Sequence, residues 1–451
     1  MKKILAIGCG GAGMFSLIVA SQLKKNKFKT TVFSDEADIY CRCSTPYILT
    51  GETTVKASVQ PESMFTEYGF DIVHEKAISI DVRKKQVTTD VGKAYDYDYL
   101  VISTGASPVK LPIPGSDLAG VYTVRTSSDA AGIQAGAKKA QSAVVIGAGV
   151  IGMEMAGALR SKGLDVHLVE YAHNISSGLS DQEFAKKIVD NLTTNGIKVL
   201  FESEVVEIKE TKAKRKKVQI NHNGKRVVVE ADLVIMATGI KPNLEVIAGT
   251  GIKANKFGIL VDKKMRTNIK NIYACGDCCV PLSAVTGESK PSSLASSAIQ
   301  QAKVVGYQMA GYPIAYAGST GAFAFKILGK DYASVGLTEE EARKKYKFVA
   351  IGRASSTDLY RDLKKVQPLE VKLIFAGLTM RLVGYEAFGS GVIPSAEVAS
   401  FAIGLKLHIL KLLKFNYIAH PSLTPWPFMN PIVMAAEDAM GSIMKKIKIF
   451  S

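Results

Sequence analysis

The apolar positions near the start of the chain fall in short runs set around a turn of small residues. Lys3–Ile7 reads as a buried strand. Gly8-Cys9-Gly10-Gly11-Ala12-Gly13 follows as a turn, and a helix then continues to about Lys25. A second strand covers Lys29–Phe33, which completes a βαβ opening. The same pattern recurs further on. Ala143–Ile146 is a strand, Gly147-Ala148-Gly149-Val150-Ile151-Gly152 a turn, and a helix leads to the strand Asp165–Val169, which ends in Glu170. Each half closes on another apolar strand followed by small residues: Tyr99–Ala106, with Ser103-Thr104-Gly105, and Leu233–Gly239, with Ala237-Thr238-Gly239. Small residues there let backbone pass close to a ligand.

From about Gly318 the glycine turns stop. Strand-like runs at Phe323–Ile327 and Val371–Phe375 precede an amphipathic segment, Glu397–Phe415, which reads as one core or dimer-interface helix, with a membrane-surface helix carrying Lys406, Lys411 and Lys414 as the alternative. A Pro-rich stretch, Pro421–Pro431, and a short terminal helix follow. The densest charge run, Lys212–Lys217, lies between strand-like stretches at Val205–Lys209 and Val218–Asn221, so it reads as a solvated hairpin tip rather than a nucleic-acid contact.

Both turns are G-x-G-x-x-G, and each follows a strand and opens a helix. Glycine permits the tight turn and close backbone approach, while the helix N-terminus offers unpaired N–H groups to a pyrophosphate. Two such units in one chain predict two dinucleotide sites. Glu170 lies 18 residues after Gly152, near the spacing for a carboxylate that accepts from ribose hydroxyls.

Length and charge narrow the picture. The 451 residues allow about two to four domains. With 47% apolar and 22% charged residues, disorder, collagen and coiled coil are excluded as the main architecture. The net charge of +16 favours anionic partners such as coenzyme phosphates. Six cysteines are too sparse for a disulfide scaffold and suit reduced thiols in a cytoplasmic setting. The opening apolar run is broken at once by glycines, unlike a signal peptide. No apolar stretch reaches the length of a membrane span.

These residues resemble the FAD- and NAD(P)H-dependent pyridine nucleotide–disulfide oxidoreductases along essentially the whole chain. Ile272-Tyr273-Ala274-Cys275-Gly276-Asp277, preceded by Gly258–Asp262, is similar to that family's second FAD motif, and Tyr99–Ala106 and Ala237–Asn243 to its two ATG segments. The resemblance implies an α/β fold: two Rossmann-like domains and a C-terminal α+β dimerisation domain. FAD is then expected on residues 1–112 and 244–317, NAD(P)H on 113–243 and dimerisation through 318–451. FAD would meet Gly8, Gly10, Gly11, Gly13, Thr104, Gly105, Gly276 and Asp277. Asp35 or Glu36 would take its adenosine ribose, and a spacing of 22 residues from Gly13 selects Asp35. Gly147, Gly149, Gly152, Glu170 and Gly239 would serve the nicotinamide nucleotide. Glu170 favours NADH, because a carboxylate repels a 2′-phosphate, while nearby His173 leaves NADPH open.

Cys41-Arg42-Cys43-Ser44-Thr45-Pro46-Tyr47 carries neither C-x-x-x-x-C nor C-x-x-C. Cys43, followed by Pro46-Tyr47, resembles the single-cysteine branch, which includes coenzyme A disulfide reductases, polysulfide and persulfide reductases, and NADH oxidases and peroxidases. Pro46 suits the first turn of a helix, and a helix N-terminus favours the thiolate. Cys41 is read as packing, with a resolving role as the alternative. Gly11 stands where the oxidases and peroxidases usually carry a histidine, which argues against peroxide or oxygen as the physiological oxidant. Ala419-His420-Pro421 resembles the segment whose histidine reaches across the dimer as acid/base, although Pro425 replaces its orienting carboxylate. The expected enzyme is a homodimer in which NADH, through FAD, reduces a small disulfide, polysulfide or persulfide at Cys43. Lys24 and Lys25 are candidates for the phosphates of a coenzyme A-derived substrate. The alternatives are an NADH oxidase and a reductase of a small electron-carrier protein. No metal is expected at Cys275-Gly276-Asp277-Cys278, which lacks a second ligand pair, and no nucleic-acid partner is expected.

Overall fold

A computed structural model describes residues 1–175, 178 and 180–449, with side chains given up to Lys445. The chain divides into two compact units. The first gathers residues 1–110, 122–135 and 238–319, and the second 111–121, 136–237 and 320–451.

In the first unit the apolar run Lys2–Ile7 buries its last four residues at the centre of a five-stranded parallel sheet. The strand order is Ile272–Ala274, Tyr99–Ile102, Lys2–Ile7, Phe28–Phe33 and Phe70–Val73. In register, Ile7 sits beside Phe33 on one side and Ile102 on the other. Near-continuous apolar strands are what a parallel sheet covered on both faces requires. Helix Gly11–Leu23 packs against helix Ala295–Met309 so closely that a Cβ on Gly306 would sit 2.6 Å from the Cβ of Val19. A three-stranded antiparallel sheet, Ala77–Asp81, Gln86–Thr89 and Ala94–Asp96, accompanies this fold.

The second unit repeats the plan. Leu233–Met236, Ser142–Ile146, Asp165–Val169 and Lys198–Leu200 lie side by side and parallel. Ser142–Ile146 is buried at every position. The charged run is a hairpin turn between Ser203–Glu210 and Lys216–His222, closed by the Thr211 N–H on the Arg215 carbonyl. One of its lysines is not solvated: Lys216 is buried and paired with Glu210 at 2.6 Å. The unit also contains a five-stranded antiparallel sheet in the order Phe323–Ile327, Lys330–Gly336, Arg381–Gly389, Pro368–Ala376, Val349–Thr357. Both expected strands are in it.

Two expectations for the C-terminal part are corrected. Glu397–Phe415 is not one helix. Helix Val392–Gly404 ends, Lys406 turns left-handed at φ 56°, and the Leu407 carbonyl accepts from Leu382 N–H on the sheet. Only Ile409–Leu412 is helical again. A strand end that bonds the chain outcompetes a continuous helical pattern. The terminal helix is long, not short: Pro431–Ile449, with the Asn430 side chain accepting from the N–H groups of Ile432 and Val433. Among the described residues no helix is long and apolar enough to cross a membrane.

Candidate active site

In the first glycine turn each glycine has a separate task. Gly8 has φ 107°, and a Cβ on it would overlap the Ser103 carbonyl. A Cβ on Gly13 would overlap the Gly8 carbonyl oxygen. Ser103 fastens the turn from below, its hydroxyl donating to the Ile7 and Gly8 carbonyls at 2.9 and 3.1 Å. Gly10 instead faces open space, and Gly11 meets only Ile299 at 3.3 Å. Gly10 caps helix Gly11–Leu23 with no side-chain acceptor on its first N–H groups. An uncapped helix end beside a glycine with open space fits an incoming pyrophosphate.

The two ATG segments meet in this unit. Ala106–Pro108 pairs antiparallel with Ile240–Pro242. Asn243 then grips the first segment. Its side-chain amide donates to the Thr104 carbonyl at 2.9 Å, and Thr104 Oγ1 donates to the Asn243 carbonyl at 2.7 Å. Gly105 and Gly239 have φ 65° and 102°, and both face open space. Gly276, at φ 82°, donates its N–H to Gln301 Oε1 at 2.8 Å. Burial pushes the neighbouring Asp277 carboxyl above the usual range, while Arg42 and Arg125 pull it the other way. A partly desolvated carboxylate gains from hydroxyl donors, which suits a ribityl chain.

The acidic residues after the second strand separate. Asp35 is exposed. Glu36 is half-buried and gripped by two guanidinium groups: Arg42 Nη2 at 2.8 Å and Arg125 Nη2 at 2.9 Å. This Glu36–Arg42–Arg125 cluster, with Asp277 in its field, was not found from sequence. Arg125 lies about ninety residues from its partner, with no motif to mark it.

Cys43 lies in the single-turn 3₁₀ helix Arg42–Ser44, which runs into helix Thr45–Thr50 with Pro46 in its first turn. Cys41 and Cys43 are both exposed. Packing therefore does not account for Cys41. A short ladder between Ile39–Tyr40 and Val59–Gln60 holds the segment, and Cys41 N–H donates to the Ser58 carbonyl at 2.8 Å. The remaining thiols are quiet. Burial pushes Cys9 up to about 12, with Glu62 and Glu36 adding. Cys275, Cys278 and Cys279 are fully buried and raised by desolvation, and Cys278 and Cys279 donate to carbonyls. Among the described residues no His/Cys/Asp/Glu group could hold a metal ion. Lys24 sits over the Tyr312 ring at 5.5 Å.

The second turn lies in the other unit. A Cβ on Gly152 would overlap the Gly147 carbonyl, and Gly149 caps helix Val150–Ser161 without a side-chain acceptor. Glu170 is held by backbone: its carboxylate accepts from Ala148 N–H at 2.6 Å, inside the turn, and from Ala172 N–H at 2.8 Å. His173 is exposed. His420, in the same unit, is exposed, and its Nδ1 lies 3.1 Å from the Ser422 hydroxyl. Ser422, not a carboxylate, is the side chain at His420 Nδ1.

Residues 2–302 match the family described as pyridine nucleotide-disulphide oxidoreductase, and residues 322–427 match its dimerisation domain. The chain belongs to this family. It is 34% identical to an NADH oxidase of Methanocaldococcus jannaschii over 98% of this chain and all of that one. It is 31% identical to an NAD(P)H sulfur oxidoreductase (CoA-dependent) of Pyrococcus abyssi, covering 88% and 90% of the two chains. Among solved structures, an NAD-dependent persulfide reductase from A. fulgidus superposes with a TM-score of 0.90 at 29% identity, covering 98% and 84%. The protein is therefore an FAD-dependent NAD(P)H oxidoreductase with two Rossmann-type folds and a C-terminal dimerisation domain.

Proposed function

We propose that this flavoprotein reduces a low-molecular-weight disulfide, polysulfide or persulfide, of the coenzyme A disulfide kind, through Cys43. The observation that carries the reading is the sorting of thiols: Cys43 is exposed at the start of a helix, whereas Cys9, Cys275, Cys278 and Cys279 are wholly or partly buried with raised pKa values. The relatives named as CoA-dependent sulfur oxidoreductases agree with it.

In this reading residues 1–112 and 244–317 hold FAD. Gly8, Gly10, Gly11 and Gly13 receive its pyrophosphate, Thr104 and Gly105 pass beside it, and Gly276 and Asp277 take its ribityl chain. Asp35 takes the adenosine ribose. Residues 113–243 hold the nicotinamide nucleotide on Gly147, Gly149 and Gly152, with Gly239 alongside, and Glu170 favours NADH. When bound, the flavin carries the two electrons of NAD(P)H to sulfur. The protein's own residues supply position and protons. Cys43 is the nucleophile, and His420, oriented by Ser422, protonates the leaving thiolate from the partner subunit of a homodimer. Phe401, Ile418, Leu423 and Phe428 of the C-terminal domain are exposed, as residues of a subunit interface would be in a lone chain. The setting is cytoplasmic.

An oxidase reading has one observation in its favour, the relative named NADH oxidase. Anaerobic titration with NADH, then addition of coenzyme A disulfide, polysulfide or oxygen, separates the two. Rapid flavin reoxidation by the sulfur oxidants, reduced more than a hundredfold by Cys43→Ser, is the expected result. Reoxidation by oxygen alone, indifferent to Cys43→Ser, overturns the proposal.

A further inference from the structure

The fold sorts six cysteines into four that are buried or half-buried and two that are exposed, and the exposed two lie within one tripeptide, Cys41-Arg42-Cys43. A cysteine is among the most buried of residue types, so two exposed thiols side by side call for a chemical reason. We propose that Cys41 is the second redox thiol of the site, displacing substrate sulfur from Cys43 and closing a Cys41–Cys43 disulfide. This rests on the reading of Cys43 given above.

Two features support it. The first is reach. Cys41 caps the 3₁₀ turn, and its carbonyl accepts from Ser44 N–H at 3.0 Å. One helical residue between two Cα atoms leaves them about 5–6 Å apart, inside the span a disulfide bridges. Cys41 itself is extended, at φ −78° and ψ 94°. Its side chain is therefore freed from the helical stagger that turns residues two apart away from each other. The second is a shared neighbour. Burial raises the Tyr40 phenol, and the charges of Cys41, Asp129 and Cys43 add to it, so both sulfurs lie within electrostatic reach of one hydroxyl. That hydroxyl is fixed 2.9 Å from Thr45 Oγ1, which in turn donates to the Arg42 carbonyl. A bridge across so small a ring is strained, and strained, exposed disulfides are the ones that cycle.

The chemistry balances. The Cys43 thiolate attacks a substrate disulfide, the S–S bond breaks, and the first thiolate leaves and takes a proton. The Cys41 thiolate then attacks the Cys43 sulfur of the mixed disulfide. The second substrate thiolate leaves, takes a proton, and the Cys41–Cys43 bond forms. The two electrons of one NADH, with two protons, return that disulfide to two thiols.

The test uses the flavin-loaded enzyme, oxidised with coenzyme A disulfide or reduced anaerobically with NADH, then denatured in iodoacetamide, digested and weighed. The expected oxidised peptide carries neither alkyl group and is lighter than the dithiol by two hydrogens, while the NADH-reduced peptide is alkylated twice. Cys41→Ser should accumulate a coenzyme A adduct on Cys43 and slow turnover about tenfold or more. If Cys41 is alkylated in the oxidised wild type while Cys43 carries coenzyme A, the inference falls and the Cys43 reading stands. Alkylation of both after oxidation overturns both. Wild-type turnover in Cys41→Ser, without adduct, also overturns the inference.

Discussion

The two glycine turns are nearly the same sentence, GCGGAG and GAGVIG, yet their surroundings differ. Around the first, charge is handled by side chains: Glu36 is gripped by Arg42 and Arg125, and Asp277 lies in their field. Around the second, Glu170 is held by two backbone N–H groups, one of them from the turn itself. The deeper ties of the two halves differ as well. The second half is bound to the C-terminal sheet by a buried ion cluster. Lys372, 2% exposed, meets Asp181 at 2.8 Å and Glu183 and Glu339 at 2.7 Å. Beside it Glu386, fully buried, accepts from Asp181 N–H and the Tyr332 hydroxyl at 2.8 Å each. A carboxylate fixed by backbone keeps its place whatever ligand comes and goes. That suits a nucleotide exchanged at every turnover. A cluster of paired side chains suits a cofactor that stays.

The sharpest break of this comparison is a matched pair, Gly13→Ala and Gly152→Ala. Each new Cβ overlaps a carbonyl of its own turn, at Gly8 and Gly147. Gly13→Ala should lose bound flavin, read from the visible absorbance per chain. Gly152→Ala should keep flavin and lose more than tenfold in NADH kcat/KM. Loss of flavin in both would erase the distinction. Next in size is Lys372→Met, which leaves three carboxylates facing one another. It should cost about 3–5 kcal/mol. Thermal melting should show the second unit unfolding ahead of flavin release.

A pH series on Glu386→Gln comes third. Desolvation, and then the Asp181 charge, push the Glu386 carboxyl from 4.5 up to about 8. Between those values the folded protein holds a proton that the unfolded chain has released. Stability contributed by this residue is therefore greatest at low pH and falls as pH rises from about 4.5 to about 8. The Gln variant should flatten the fall of Tm over that window, and an unchanged slope would place the effect elsewhere. Smallest is Glu170→Ala. NADH kcat/KM should fall about tenfold, while NADPH changes less, because only the 2′-hydroxyl contact is lost.

Local order accounts for what the sequence made legible. Both turns, both βαβ units and two of the C-terminal strands, at Phe323–Ile327 and Val371–Phe375, follow from glycine spacing and apolar runs. Contacts between distant residues were not legible. No pattern links Glu36 to Arg125, or Asn243 to Thr104, because such pairs exist only after the sheets have formed. The helix read across Glu397–Phe415 failed for the same reason: its periodicity continues, but the start of strand Arg381–Gly389 captures the Leu407 carbonyl through Leu382 N–H. Cys41 looked like packing because exposure is a property of the fold.

The order in which the chain is made has a consequence for the cell. The central strand Lys2–Ile7 and its neighbour Tyr99–Ile102 are synthesised early, but the next strand, Ile272–Ala274, and the helix Ala295–Met309 that covers Gly11–Leu23 come far later. At about 5–20 residues per second the ribosome needs roughly ten to thirty-five seconds to bridge that gap. Throughout it the nascent sheet shows an unpaired edge at Tyr99–Ile102 and a bare apolar helix face. A chaperone that shields extended apolar chain has its longest task here, before the first nucleotide fold can close.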